Sequence, residues 1–165
     1  MMRCFFRVLF ASAFSLLTNS PDHSLLAQDA NPILSLRGRW AGTATLTPQS
    51  GPSESYSCVA TYFPSSDGSS IRQNLRCKGA NYQFDGATHL DVAAGKITGR
   101  WQDKINNLDG IVKGTVRADG FDIALSGNFF DAKMTVVNSR CQQFLTIVLE
   151  EGLPIKKLAA VLRKC

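Results

Sequence analysis

Short segments in which apolar and polar side chains alternate make up most of this chain from residue 36 onward. In IRQNLRC, Ile71 and Leu75 alternate with polar residues, and in FDIAL, Phe121 and Ile123 do the same. Successive side chains of a β-strand point to opposite faces, so this pattern is typical of strands that bury one face. Because residues 28–150 show no helical periodicity, the alternation predicts an all-β protein.

The alternating segments are short and follow one another closely. They are predicted as strands over 36–46, 55–63, 71–77, 80–84, 88–92, 96–102, 109–117, 120–126, 128–137 and 141–149. Asp-Gly pairs, which tolerate the positive φ of tight hairpin turns, occur at Asp67-Gly68, Asp85-Gly86, Asp109-Gly110 and Asp119-Gly120. Consecutive hairpins order strands as a meander, and closing a meander removes its exposed edges. We therefore expect an antiparallel up-and-down β-barrel of about 8–10 strands, with a β-sandwich as the alternative.

The C-terminal segment has two interpretations. An apolar stripe through residues 155–162 fits a short helix, whereas Gly152 and Pro154 fit a turn into a last strand over 157–164. We favour the strand, because it could pair with 141–149 and close the barrel against the first strand.

The first 27 residues have the layout of a secretory signal peptide. Two arginines precede VLFASAFSLL, an apolar run shorter than the roughly 20 residues of a membrane-spanning helix. We expect cleavage after Ala27, with Ala30 as the alternative, and a periplasmic or secreted protein without a transmembrane span. The expected mature chain has a flexible N-terminal arm over 28–35 and a single barrel domain over 36–165.

Four cysteines follow this leader, and an even number in an exported chain indicates two disulfides. A hairpin turn at the first Asp-Gly pair places Cys58 opposite Cys77, since both lie equally far from the turn. Cys141 and Cys165 are likewise symmetric about the connector EGLPI. We predict the pairs Cys58–Cys77 and Cys141–Cys165, and the spacing does not resemble a zinc site.

The charge of the chain is moderately basic. The 18 Lys and Arg and 13 Asp and Glu include Arg3, Arg7 and Asp22 of the leader, which leaves 16 basic and 12 acidic side chains. The basic residues are spread over many segments rather than gathered in one arm or helix. This distribution argues against nucleic acid as a partner.

The sequence contains few residues of the kinds that catalyse reactions or bind metals. His89 is the one histidine after the leader, on the face of its strand opposite Leu90, and we interpret it as a surface residue. The sequence lacks a nucleophile elbow, a metal-ligand cluster and a glycine-rich phosphate loop. Carboxylates such as Asp103 and Asp109 are interpreted as turn formers. We predict neither enzymatic activity nor a metal or cofactor.

The first strand carries a motif with known relatives. Leu36, Gly38 and Trp40 form Leu-x-Gly-x-Trp, which resembles the opening motif of the calycin superfamily, including lipocalins, fatty-acid-binding proteins and avidins. The resemblance implies a barrel whose closed end is plugged by Trp40, with a basic residue of the last strand packed over its ring. We assign that role to Arg163, with Arg140 as second choice.

A second resemblance gives a different function. A small exported barrel with Gly-x-Trp near its start and one early disulfide is similar to bacterial inhibitors of secreted metalloproteases, whose N-terminus enters the protease cleft. Cys58–Cys77 would correspond to that disulfide. The alternative function is therefore a packed barrel that acts through its surface or its N-terminal arm on a protease or envelope partner.

The inward-facing side chains bear on the choice between these functions. The predicted inward set is bulky and consists of Trp40, Tyr56, Tyr62, Tyr82, Phe84, Trp101, Phe121, Phe130 and Met134. A barrel of about eight strands is readily filled by its own side chains, so a packed core and a cavity both remain open. Our leading hypothesis is a barrel that binds a small apolar or amphipathic ligand. The candidate ligand-binding residues are Tyr56, Tyr62, Gln73, Tyr82 and Trp101.

Overall fold

The computed structural model describes residues 31–165 of the chain. The predicted signal peptide, its cleavage site and the first three residues of the expected arm lie outside these described residues. The described elements are α1 (Pro32–Ser35), β1 (Gly38–Pro48), β2 (Glu54–Pro64), β3 (Ser70–Lys78), β4 (Gln83–Ala93), β5 (Lys96–Asp103), β6 (Leu108–Arg117), β7 (Gly120–Gly127), β8 (Asp131–Ser139), β9 (Gln142–Leu149) and β10 (Ile155–Arg163). In this part of the chain, no helix is long and apolar enough to cross a membrane.

The ten strands form a closed antiparallel barrel in which every strand pairs with its neighbours in sequence. The last strand, β10, pairs with β9 on one side and with β1 on the other, which closes the barrel. Both the predicted all-β barrel and the strand interpretation of the C-terminal segment are thus confirmed. A closed sheet has no free edge, so no strand presents an unpaired row of backbone N–H and C=O groups.

The hairpin between β2 and β3 has the predicted register. Cys58 lies opposite Cys77, and Tyr62 lies opposite Gln73, with the turn at Asp67-Gly68. The Cys58–Cys77 disulfide joins the two strands directly, and a second disulfide joins Cys141 to Cys165. Both predicted pairings are confirmed.

Two of the four Asp-Gly pairs do not make turns. Gly86 lies within β4 and Gly110 within β6, so the two strands expected over 80–84 and 88–92 are one continuous strand. A Cβ atom at Gly86 would collide with the ring of Phe84, and one at Gly110 would collide with the Ser126 carbonyl oxygen. These glycines thus permit close packing rather than positive φ.

A tight turn that the sequence analysis did not identify joins β4 to β5. Ala94 and Gly95 both have positive φ, at 48° and 73°, as a two-residue type I′ hairpin turn requires. The sequence does not show the usual pattern of such a turn, because its first position carries alanine rather than asparagine, aspartate or glycine.

The barrel has two different ends. At the closed end, where β1 begins and β10 ends, large buried side chains occupy the interior; they include Trp40, Tyr62, Ile71, Leu90, Phe121 and Leu162. At the open end, the loops are 49–53, 79–82, 104–107, 128–130 and 150–154. The alternation along β1 is as predicted, with Trp40, Ala44 and Leu46 buried.

Part of the segment that was expected to be a flexible arm is folded. Residues 32–35 form the single turn of α1, whose first N–H groups are capped by Asn31, with Oδ1 accepting from the Ile33 N–H at 3.0 Å. Ile33 is 1% exposed and belongs to the hydrophobic core. An apolar side chain in this position fixes the helix against the closed end of the barrel, because its burial is favourable by about 1.5–3 kcal/mol.

Trp40 plugs the closed end, and its neighbours differ from those expected. Its indole N–H donates to the Leu36 carbonyl oxygen at 2.7 Å, and the Lys164 ammonium lies 5.2 Å from its ring. The register pairs Ala41 with Arg163, so Lys164 is the next position, opposite Trp40, while Arg163 points outward and is exposed. The assignment of Arg163, or of Arg140, to this contact is therefore wrong.

Candidate functional site

The open half of the barrel contains an apolar cavity of about 350 Å³. This volume falls in the range of small-molecule sites, roughly 300–1,000 Å³. The walls come from every strand except β8 and from the loops above them: Leu46, Tyr56, Leu75, Cys77, Tyr82, Phe84, Trp101, Asp103, Leu108, Leu125, Phe129, Phe130, Ile147, Leu149, Leu153, Pro154, Ile155 and Leu158. The barrel is therefore packed at one end and hollow at the other.

The five candidate ligand-binding residues fall into two groups. Tyr56, Tyr82 and Trp101 line the cavity, each on a different strand or loop of the open end. Tyr62 and Gln73 lie deeper, among the buried residues that separate the cavity from the closed end. The structure thus brings three of the candidates to one space, and their role in binding stays a prediction.

Tyr62 and Gln73 belong to a chain of buried and half-buried polar side chains that crosses the barrel. The Tyr62 hydroxyl donates to Gln143 Oε1 at 2.9 Å, and Gln143 Nε2 donates to Asn138 Oδ1 at 2.8 Å. On the other side, Gln73 Nε2 lies 3.5 Å from the Tyr62 hydroxyl, and Thr88 donates to Gln73 Oε1 at 3.2 Å. We call these five residues the polar floor.

Burial keeps the Tyr62 phenol neutral. Burial raises the pKa of Tyr62 well above its ordinary value of 10.0, and the hydrogen bond to Gln143 offsets part of that rise. A neutral phenol can donate to Gln143 Oε1, which leaves Asn138 Nδ2 as the one buried side-chain polar atom of the floor without a hydrogen-bond partner among residues 31–165. These hydrogen bonds give the polar residues at the base of the barrel a structural role.

A second polar cluster lies on the wall of the cavity itself. Asn106 Nδ2 donates to the Tyr82 hydroxyl at 2.8 Å and also to Asp103 Oδ2. Asp103 Oδ1 accepts from the backbone N–H groups of Asp85, Ile105 and Asn106 at 3.0–3.4 Å. We call Tyr82, Asp103 and Asn106 the wall cluster.

Asp103 is a site residue that the sequence analysis missed, and Asn106, which does not itself line the cavity, donates to it. Asp103 was interpreted as a turn former, and its carboxylate does bind the backbone of the β5–β6 loop. It is also only 2% exposed and lines the cavity. The alternation of side chains along the strand could have identified Asp103 as inward-facing, because it stands two positions after the inward Trp101 and therefore shares its face.

Both cavity tyrosines are held in the neutral form. The pKa of Tyr82 is raised from 10.0, first by burial and then by the negative charge of Asp103. The pKa of Tyr56 is also raised, by desolvation first and then by Glu54, whose Oε2 accepts from the Tyr56 hydroxyl at 3.1 Å. Near neutral pH, each phenol is therefore uncharged and keeps its hydroxyl proton.

Aromatic rings form one side of the cavity. Trp101 and Phe130 pack with ring centroids 5.1 Å apart, and the Trp101 indole N–H donates to the Ser126 carbonyl oxygen at 3.3 Å. Trp101 thereby presents an apolar surface to the cavity, because its polar atom is already used. At the mouth, Phe129 is 76% exposed although it also lines the cavity.

Residues 31–165 contain no group of three or more His, Cys, Asp or Glu side chains arranged to hold a metal ion. His89 is exposed on the outside of the barrel, as its strand parity predicted, and lies opposite Arg100 on β5.

The fold and the cavity together define a calycin-like β-barrel with an apolar interior that opens at one end. No protein-family model matches the sequence, and no curated protein matches it either. The sequence motif that suggested the calycin superfamily therefore has no sequence-level confirmation, whereas the predicted fold is confirmed by solved structures.

Two of those structures show the shared fold. The crystal structure of Rv2717c from M. tuberculosis superposes with a TM-score of 0.67 at 14% identity, covering 85% of this chain and 99% of that protein. The S-type phycobiliprotein lyase CPES from Guillardia theta superposes with a TM-score of 0.57 at 12% identity, covering 81% of this chain and 90% of the lyase. At these identities the likeness concerns the barrel fold alone.

Proposed function

We propose that this protein binds a small apolar or amphipathic molecule inside the open half of its barrel. The observation that carries the proposal is the cavity of about 350 Å³ with walls made almost entirely of aliphatic and aromatic side chains. Transfer of an apolar ligand into such a space is favourable by roughly 25 cal/mol per Å² of apolar surface removed from water.

The division of the barrel into a packed half and a hollow half supports binding over a purely structural role. Trp40, the polar floor and α1 stabilise the closed end without any contribution from the cavity residues. The open end can therefore keep a cavity, because the disulfides and the closed ladder hold the strands around it.

The compartment we propose is the periplasm or the extracellular space. The two disulfides indicate an oxidising environment, because cytosolic thiols are kept reduced. The layout of residues 1–27 supports export, with cleavage after Ala27. Mass spectrometry of the protein from its native host tests this part, since a mature chain that begins at Met1 would contradict it.

Blocking the cavity tests the binding proposal. Leu125 lines the cavity on β7, and its neighbour Ala124 points outward and is exposed. We expect Leu125→Trp to fill the cavity and to weaken binding of a neutral fluorescent probe, N-phenyl-1-naphthylamine, at least about tenfold. Ala124→Trp adds the same side chain outside the barrel and should leave probe affinity unchanged.

Two results of the probe titration would contradict the binding proposal. Equal probe affinity in wild type, Leu125→Trp and Ala124→Trp would show that the probe does not enter the barrel, and absence of probe binding by the folded wild type would also contradict the proposal. Circular dichroism of each variant confirms that it is folded at the temperature of the titration. Native mass spectrometry of protein taken from its host then identifies any molecule that it carries.

A further inference from the structure

The cavity carries a charge of one sign. Within residues 31–165, Asp103 is the one charged side chain that lines the cavity, whose remaining lining is apolar apart from two tyrosine hydroxyls. The Asp103 carboxylate is 2% exposed, so little bulk water screens it. An apolar pocket with a single buried carboxylate discriminates among ligands by the charge of their polar group.

The acidic character extends to the rim of the cavity although the whole chain is basic. The loops of the open end carry Glu150, Glu151 and Lys104, and the strand ends beside them carry Glu54, Asp103, Asp109 and Asp131 against Lys78 and Lys156. Glu54, at the start of β2, accepts hydrogen bonds from Tyr56 and Asn81 at the same end. The formal net charge of the full chain is +5, so the negative charge at this end is local.

The wall cluster leaves acceptor capacity that a ligand could use. Asp103 Oδ1 accepts three backbone N–H groups, whereas Asp103 Oδ2 accepts only from Asn106 Nδ2 among the described residues. A carboxylate oxygen has two lone pairs, so Oδ1 is fully used, with two of its three contacts long at 3.4 Å, whereas Oδ2 keeps one lone pair. The Tyr82 hydroxyl, 2.8 Å from Asn106 Nδ2, adds a second polar atom to the same wall.

Resting on the proposed function, we propose that the ligand is an amphiphile whose polar group is a protonated amine, paired with Asp103 inside the cavity. A protonated amine is a donor without acceptors, which complements Oδ2 of Asp103. A carboxylate in the same place would lose its water and would face another carboxylate with no cation in the cavity lining. The same residues therefore select against fatty acids.

Three ten-carbon probes that differ only in their polar group test this inference. Decylamine, decanol and decanoate are titrated at pH 7 against bound N-phenyl-1-naphthylamine, below their micelle concentrations. We expect wild type to bind decylamine at least about tenfold more tightly than decanoate, with decanol between them. This ranking is measured on the unmodified protein and so does not depend on the folding of any variant.

Two variants locate the source of the preference. Asp103→Asn keeps the shape of the side chain and removes its charge, so the ratio of amine to carboxylate affinity should fall toward one. Asp131→Asn makes the same charge change at the same end of the barrel, where Asp131 is exposed on β8 outside the cavity. Asp131→Asn should keep the preference for decylamine over decanoate if direct contact with Asp103, rather than the overall negative charge of this end, is responsible.

The outcomes separate this inference from the proposed function. If decanol binds but decylamine and decanoate bind equally, the cavity binds ligands and the inference about the amine is wrong. If the preference persists in Asp103→Asn, the assignment to Asp103 is also wrong. If none of the three probes displaces the fluorophore from folded wild type, the inference falls together with the proposed function.

Discussion

The ammonium group of Lys164 lies 5.2 Å from the ring of Trp40 and 3.5 Å from the Ser35 carbonyl oxygen. One side chain at the end of β10 therefore contacts both the plug of the barrel and the helical turn that precedes it. Because α1, β1 and β10 meet at this point, the contact joins the two ends of the described chain.

Replacing Lys164 should weaken the closed end. We expect Lys164→Met to lower the free energy of unfolding by about 0.5–2 kcal/mol, since the cation–π contact is lost while most of the aliphatic stem remains. Urea unfolding measures the change. Arg163→Met is the matched control: it removes a neighbouring exposed cation and should cost less than about 0.5 kcal/mol. A larger loss in Arg163→Met than in Lys164→Met would contradict the observed packing.

The polar floor makes a second prediction about stability. Tyr62→Phe removes the hydroxyl that donates to Gln143 Oε1 at 2.9 Å and leaves that buried amide oxygen without its donor. We expect a loss of about 1–3 kcal/mol in the free energy of unfolding. Because Tyr62 does not line the cavity, affinity for the neutral probe should change less than twofold. A large fall in affinity in a fully folded variant would place Tyr62 in the binding site instead.

The two disulfides should have separable effects. The cysteines are 19 positions apart in Cys58–Cys77 and 24 positions apart in Cys141–Cys165. Removing either disulfide should lower the free energy of unfolding by about 3 kcal/mol on a chain-entropy estimate. Cys141 and Cys165 lie at the closed end, so replacing both with serine should lower stability and leave probe affinity unchanged. Cys77 lines the cavity. Replacing Cys58 and Cys77 with serine should therefore reduce both stability and probe affinity. Thermal unfolding and probe titration of the two double variants give the comparison.

The β2–β3 turn makes stability depend on pH in the acid range. Hydrogen bonds from Ser65 and Ser69 lower the pKa of Asp67 from 3.8 to about 2. The pKa is lower in the folded state than in the unfolded state, so the stabilisation is complete above about pH 5 and is lost progressively as the pH falls from about 5 to about 1. We expect an NMR titration to show the Asp67 carboxyl titrating near pH 2. Ser69→Ala should raise this pKa, and an unchanged value would contradict the assigned hydrogen bonds.

Local sequence patterns were sufficient for most of the fold. Alternation identified which side chains face inward, as at Ile71, Leu75 and Trp101, because the side-chain period of a strand does not depend on its partners. The register of the β2–β3 hairpin and its disulfide followed from one turn and two cysteines. The strand interpretation of the C-terminal segment was also correct, because closing the barrel requires a partner for β1.

Other features depended on which residues become neighbours in space. Gly86 and Gly110 look like turn glycines in the sequence, and only the packed ring of Phe84 and the backbone of β7 show why they lie within strands. The cation over Trp40 is Lys164 rather than Arg163, because the register between β1 and β10 decides which residue shares the inward face. A shift of one residue reverses that choice.

The sequence by itself determined an all-β barrel, its two disulfides and the inward positions of its strands, since these follow from short-range periodicity and spacing. Only the tertiary structure decided that the barrel is packed at one end and hollow at the other. The volume left inside a barrel depends on how all the inward side chains fit together around the ring. For the same reason, Tyr56, Tyr82 and Trp101 became cavity residues, Tyr62 and Gln73 became the floor beneath them, and Asp103 became the charge inside.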